Sequence, residues 1–365
     1  MPNQNRPPAL PLQGVAGAQV SCQARFEHRW GMLHDPHVRA LAWLIDAPGL
    51  LDGADPAWHG QIASLPANAG ALAQPWLQEL DRQPQALHAA IAQQPTTRLG
   101  RYAEKLMAFY FSRLGILRAH GLQVGNGKLG TVGEFDFLLQ DEQGLRHWEF
   151  ATKFYLLEKP DIAAQTLADY FIGPNLADTL GAKMGKILHR QLALSSHPAA
   201  QALLPAPVVK AQALVKGWLF YHGSVLAPHD GPLSMSLDVL SDAAGSSSAA
   251  SADEGAGLAP AHCRGFWCEN SRFQAELAAM PTAPEPLMAI LPRLSWLAPA
   301  RLPLAQTHAR AAMPAILERH FATDTMPVMV ALMAPIEGEA IEIRRGFIVP
   351  DDWRRRAGER RQAAG

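Results

Sequence analysis

Two carboxylates and a lysine set in an apolar hairpin are the residues of this chain best placed to do chemistry. The segments Gly133-Glu134-Phe135-Asp136-Phe137-Leu138-Leu139 and His147-Trp148-Glu149-Phe150-Ala151-Thr152-Lys153 read as two strands. Asp141, Glu142, Gln143 and Gly144 between them supply turn chemistry. An even-numbered loop centred between Glu142 and Gln143 puts Asp136 directly opposite Glu149, with Cβ atoms about 4.5–5.5 Å apart. Like charges so placed destabilise a sheet, and the pairing makes sense if a divalent cation sits between them, because hard cations take carboxylate oxygens. Lys153 falls on the Glu149 face, since side chains alternate with period two. In such a site Asp136 and Glu149 hold Mg²⁺ or Mn²⁺, which lowers the pKa of a bound water, and Lys153 orients that water.

The elements that must position these residues are legible around them. Thr96-Thr97 offers an N-cap for a helix from Arg98 to Leu114, with Gly115 as its stop. Leu99, Tyr102, Ala103, Leu106, Phe109, Tyr110 and Leu114 form its main apolar stripe, and Met107 and Phe111 widen it. Strands are expected at Ile116–Val124, Thr131–Leu139, His147–Leu156 and Val208–Tyr221, with a long helix opened by Pro174 and ending near Leu194. This α-β-β-β-α-β order predicts an α/β fold, a mixed sheet flanked by helices.

That constellation resembles the PD-(D/E)xK, or restriction-endonuclease-like, nuclease superfamily, in which an Asp ends one strand and an acid-x-Lys triplet sits on the next. A Gly-Glu-x-Asp opening is frequent in its bacterial branches, and Gly100 with Glu104 matches the Gly-x-x-x-Glu of its leading helix. The resemblance covers roughly residues 96–225, and the whole chain is similar to a bacterial family of unassigned function grouped with these nucleases. It implies metal-dependent hydrolysis of DNA phosphodiester bonds. One departure stands out. The superfamily spaces acid and lysine two residues apart, whereas Glu149 and Lys153 are four apart with Ala151 between them. A long lysine or a bulge recovers the geometry; alternatively the fold is a catalytically inactive module that binds nucleic acid or a protein.

Other candidates carry two readings each. Glu104 completes the metal site from the leading helix, or pairs with Arg101 three residues before it. Glu134 shares the Asp136 face and pairs diagonally with Lys153 in a structural ion pair that competes with catalysis. Convergence of Glu104, Asp136, Glu149 and Lys153 favours the enzyme, and a Glu134–Lys153 pair with Glu104 in solvent favours the module. Lys183, Lys186 and Arg190 form a basic stripe that follows phosphates or is simply a solvated face. His147 shares the Glu149 face and is read as making a local hydrogen bond. His262, Cys263 and Cys268 lack the paired spacing of a zinc site and read as buried or free thiols with a neighbouring histidine.

Composition bounds the rest. A hydrophobic content of 48% with 18% charged residues is that of a folded chain, and 365 residues can bury one large core or two ordinary ones. A formal net charge of −1 gives no bulk attraction to nucleic acid, so binding falls to a local basic groove. The expected organisation is a helical N-terminal extension (1–95, with a disordered Pro-rich lead over 1–20), a nuclease-like core (96–240), a flexible low-complexity insertion (241–262) and an α+β C-terminal elaboration (263–365). Strands are expected there at Leu287–Leu297, Val328–Leu332 and Ala340–Val349, with an exposed arginine-rich tail. Three cysteines make no disulfide framework, the N-terminus has no apolar signal core, and the run from Met326 to Pro335 is too short to span a bilayer. A reduced cytoplasmic setting without a membrane partner follows as the expectation. Nothing in the sequence bears on oligomeric state.

Overall fold

In the computed structural model residues 21–125, 130–158, 167–225, 257–280 and 286–364 are described. The expected lead and residues 241–256 of the expected insertion lie outside them. Five helices open the chain. They are α1 (Cys22–Trp30), α2 (Pro36–Asp46), α3 (Ala69–Arg82), α4 (Gln85–Ala92) and α5 (Leu99–Arg113). Side chains start the first two, Ser21 accepting from the amide of Ala24, and Asp35 from those of His37 and Val38. α5 starts differently from expectation. Its N-cap is Arg98, without a capping side chain, because the Thr96 hydroxyl accepts from the amide of Arg98 instead. Its stripe is also rotated: Met107 and Phe111 are buried, while Leu114 is 50% exposed. Phe111 meets Phe137 and Trp148 edge-on, at 5.2 and 5.8 Å between ring centroids. Removing that ring would cost about 3–5 kcal/mol.

The strands are β1 (Leu117–Gly125), β2 (Thr131–Asp141), β3 (Gly144–Leu157), β4 (Phe171–Ile172), β5 (Val208–His222), β6 (Cys263–Glu269), β7 (Leu287–Ile290), β8 (Arg301–Pro303), β9 (His308–Ala309), β10 (Val328–Ile336) and β11 (Glu339–Val349). They form one mixed sheet in the order β1-β2-β3-β5-β6-β11-β10-β7-β9, with β4 on β3 and β8 on β11. The central pairs β3/β5, β5/β6 and β6/β11 are parallel. Residues 263–349 therefore extend the sheet of residues 117–222 edge to edge. Strands buried on both faces need apolar residues at successive positions, and β5 alternates accordingly. Leu214, Trp218 and Phe220 join the core under α1–α5, while Val215 and Leu219 face the opposite layer with Leu180 and Met184. That opposite layer contains α6 (Leu180–Lys186), α7 (Pro198–Gln201), α8 (Asn270–Ala279) and α9 (Met313–Phe321), and α10 (Trp353–Ala364) carries the arginine-rich tail.

Several expectations change. The helix expected from Pro174 begins at Leu180, where the Thr179 hydroxyl caps Ala182; before it Leu176 takes a left-handed φ of 59°. After Lys186 the helix widens into a π turn over Ile187–Gln191 and then tightens over Leu192–Ser196. β7 stops at Ile290 rather than Leu297. Residues 257–262 are fixed against the N-terminal segment: Trp58 donates to the Gly257 carbonyl at 2.8 Å, and Leu51 bridges to Leu258. Cys22 of α1 and Cys263 of β6 are joined in a disulfide across 241 residues, which corrects the expectation of free thiols; Cys268 is free and buried. Packing of α1 across the sheet brings the pair together, and no sequence spacing encodes that. Among the described residues no helix is long and apolar enough to cross a membrane.

Candidate active site at the fork of the sheet

β2 and β3 are joined by the two residues Glu142-Gln143, with Gly144 at φ 121° closing the turn. Their ladder runs from Asp141 opposite Gly144 to Phe137 opposite Trp148. Asp136 and Glu149 are next in line, and there the strands part. The amide of Phe150 donates to Oδ2 of Asp136 at 2.9 Å, so a side chain takes the place of the strand. β4 rejoins this edge only at Leu156. Between Phe150 and Tyr155 the edge has no strand partner on that side among the described residues. The other edge of β3 is paired with β5 without a bulge from Arg146 to Leu157. No bulge therefore draws Lys153 back, and it stays about 13 Å along the strand from Glu149. Gly217, at φ 155°, lies opposite Lys153 on β5, where any Cβ would run into the Lys153 carbonyl. That close approach holds the lysine backbone in place.

Three acids from three elements meet at this fork. Glu149 is 1% exposed; its Oε1 lies 2.7 Å from His147 Nε2 and its Oε2 accepts from Gln191 Nε2 at 2.5 Å. Glu104 of α5 accepts from Arg101 Nη1 at 2.9 Å, and the same nitrogen donates to Glu134 Oε1 at 2.6 Å. Burial and the neighbouring Glu149 charge raise the Asp136 pKa to about 7. Burial raises Glu149 to about 7, against hydrogen bonding with Asp136. Burial, then Asp136, raises Glu104 to about 7, with Arg101 opposing. Burial lowers Lys153 to about 8, and Lys183 lowers it further, while Asp178, Asp136 and Glu104 hold the charge on. Burial lowers His147 to about 4, so it is neutral at pH 7. Its Nε2 faces Glu149, and the buried Nδ1 has no hydrogen-bond partner among the described residues.

Asp136, Glu149, Glu104 and Lys153 thus share one electrostatic neighbourhood, and Glu134 does not pair with Lys153. Arg101 takes Glu134 instead, holding it below the usual carboxylate range, because α5 lies over the start of β2. Glu104 makes the expected pair with Arg101, and the Asp136 charge acts on it as well. His147 makes the local hydrogen bond expected of it. Lys183 is half-buried beside Lys153, whereas Lys186 and Arg190 are exposed. The π turn breaks the seven-residue repeat between Lys183 and Arg190 and aims Gln191 at Glu149. Sequence reading missed Gln191, since nothing local marks a π turn. His262 bonds Tyr221 at 2.8 Å and the Ala259 carbonyl at 2.6 Å, a structural role.

The donor set is hard oxygen, which suits Mg²⁺ or Mn²⁺. Asp136 and Glu104 each commit one oxygen to a hydrogen bond described above, and Glu149 commits both. Among the described residues no group of three or more His, Cys, Asp or Glu side chains is arranged to hold a metal ion. Binding through Glu149 would require His147 or Gln191 to release an oxygen. No curated protein and no solved structure matches the chain. A family model described as a domain of unknown function (DUF1853) matches residues 39–349, and the chain belongs to that family.

Proposed function

We propose that the protein is a metal-dependent nuclease that hydrolyses DNA phosphodiester bonds at the fork between β2 and β3. One observation carries this reading. Glu104, Asp136 and Glu149 come from a helix and two strands, and burial raises all three carboxyls, with Asp136 adding to the rise at Glu104 and Glu149 to that at Asp136, while the charges of Asp136 and Glu104 reach Lys153. Buried acids gathered in this way are costly to ionise, and a bound cation would offset that cost. Asp136 and Glu149 would hold Mg²⁺ or Mn²⁺, Glu104 would support them from α5, and the bound ion would supply an activated water and a polarised phosphate. Lys153, charged below about pH 8, would orient the water and balance charge on the scissile phosphate. Lys183, beside Lys153, and the exposed Lys186 and Arg190 would contact flanking phosphates. A DNA substrate implies a cytoplasmic setting, where the Cys22–Cys263 pair meets a reducing thiol pool.

A second reading has its own observation. Both Glu149 oxygens are engaged within the protein, and Ala151 stands where an acid would sit two residues from Lys153. These features favour a nuclease-derived module that binds nucleic acid or a protein without cleaving. Single-turnover cleavage by purified wild type and Lys153→Ala, with Mn²⁺ and single-stranded, duplex or branched DNA, separates the two. The nuclease reading expects cleavage that Lys153→Ala abolishes while metal binding persists. Equal, measurable rates would refute the lysine's role, and no cleavage by wild type on any substrate would leave the module.

A further inference from the structure

The open edge of β3 continues past the acids into a cleft of about 280 Å³, close to the smallest small-molecule sites, about 300 Å³. Its walls are the first turn of α5 (Arg98, Gly100), β3 (Thr152, Lys153), the loop before α6 (Asp178) and Arg293. Arg29, Arg39, Arg101, Arg301 and Arg345 are tied to carboxylates. Arg98 and Arg293 are exposed, and neither has a carboxylate partner among the described residues; Arg293 lies over the Trp296 ring at 5.5 Å. The largely buried Lys153 ammonium likewise has no hydrogen-bond or ion-pair partner among them. Asp178 supplies one opposing charge and is hydrogen-bonded to Tyr155.

Backbone donors face the same space. α5 has no side-chain N-cap, so its first amides are uncommitted, and a helix N-terminus favours an anion. A Cβ added to Gly100 would meet nothing within 4 Å, so the helix start opens onto the cleft. Because Phe150 directs its amide to the open edge, strand geometry directs those of Thr152 and Phe154 the same way. Three cations and one acid line the cleft, with amides between them, and together they make a receptor for a phosphate anion.

We propose that this cleft binds a phosphate group of a nucleic-acid strand, one nucleotide in size, beside the acidic fork. The inference rests on the nuclease reading for its ligand source, but binding at the cleft is measurable without catalysis. Lys153 then faces both the acids and the cleft, so a strand seated here runs past the fork.

The test is equilibrium binding in EDTA, where cleavage cannot occur. The probes are inorganic phosphate, a short single-stranded DNA with a 5′-phosphate, and the same DNA with a 5′-hydroxyl. Wild type should bind both oligonucleotides, or the phosphorylated one alone if the cleft takes a strand end. Arg98→Gln, Arg293→Gln and Gly100→Asp should each weaken binding at least about tenfold. Gly100→Asp is informative because an acid in the first turn supports the helix while repelling phosphate. Unchanged affinity in the three cleft variants overturns the proposal, as does binding of inorganic phosphate without either oligonucleotide. Absence of cleavage in a metal-containing assay leaves these outcomes intact and bears only on the nuclease reading.

Discussion

Replacing Asp136 by asparagine in metal-free protein is expected to stabilise the fold at neutral and higher pH. Asparagine keeps an oxygen for the Phe150 amide and removes the charge that Glu149 and burial oppose. The folded carboxyl titrates at about 7, against an ordinary value of 3.8. Three units correspond to about 4 kcal/mol at 1.36 kcal/mol per unit. Asp136 and Glu149 titrate together, so removing one relieves part of the load on the other, and about 2 kcal/mol is assigned to the substitution. The sign follows from the raised value. The folded state holds its proton more tightly than the unfolded chain, so stability is full below about pH 4 and is lost as pH rises through about 7. Wild type and variant should therefore be close near pH 4 and diverge until pH 8, with the variant ahead. Urea unfolding in EDTA at pH 4, 6 and 8 reads the difference through the midpoints. A variant less stable than wild type at pH 8, or a gap that ignores pH, would refute the claim that burial and the Glu149 charge oppose ionisation of Asp136.

Adding Mn²⁺ or Mg²⁺ should reverse that order, because an ion at a hundred times its dissociation constant adds about 2.7 kcal/mol to wild type. Asp136→Asn should lose most of this rise in Tm, and an identical response in both proteins would put the ion elsewhere. Gly217→Ala should destabilise by about 3 kcal/mol, since its methyl meets the Lys153 carbonyl across the β3/β5 ladder. A Tm equal to wild type would mean that β3 is not pinned there. Reducing the Cys22–Cys263 bridge should cost about 2–4 kcal/mol, because it closes a very long loop of the unfolded chain. Dithiothreitol should lower the Tm of wild type and leave Cys22→Ala unchanged, and a wild-type Tm indifferent to reductant would exclude the bridge.

What was legible in the sequence was local. The β2–β3 hairpin came from alternation and a two-residue turn, and its register carried Asp136 to Glu149 because period-two geometry leaves little freedom. α5 and β5 followed from apolar periodicity. The misses share a cause, which is that tertiary contacts decided them. Glu134 went to Arg101 because α5 crosses β2, a relation between elements that neither segment encodes. Pro174 looked like a helix start, yet Leu176 turned left-handed and the cap fell to Thr179. Gln191 reaches Glu149 only through a π turn, and the stripe of Lys183, Lys186 and Arg190 assumed a 3.6-residue repeat that this turn breaks. The C-terminal strands were anticipated near their places, but their parallel joining onto β5 was not, because crossover partners leave no spacing in the chain.

The four-residue step from Glu149 to Lys153 acquires a physical meaning at the fork. A lysine at position 151 would stand on the strand face now occupied by Ala151, which is buried among Tyr155, Leu180 and Met184. An ammonium there would lose its water without a partner. Two residues further on, β3 borders the cleft, and the same charge meets open space on one side and the field of Asp136 and Glu104 on the other. The layer that carries α6 thus forbids the shorter spacing and permits the longer one. The shift also changes what the lysine can serve. At 153 it is closer to a strand lying in the cleft than to an ion held between the acids, so its strongest partner is a phosphate next to the fork. On the proposed reading, loss of Lys153 should therefore weaken oligonucleotide binding in EDTA as well as slow cleavage in Mn²⁺. A lysine confined to the water at the metal would show only the second effect.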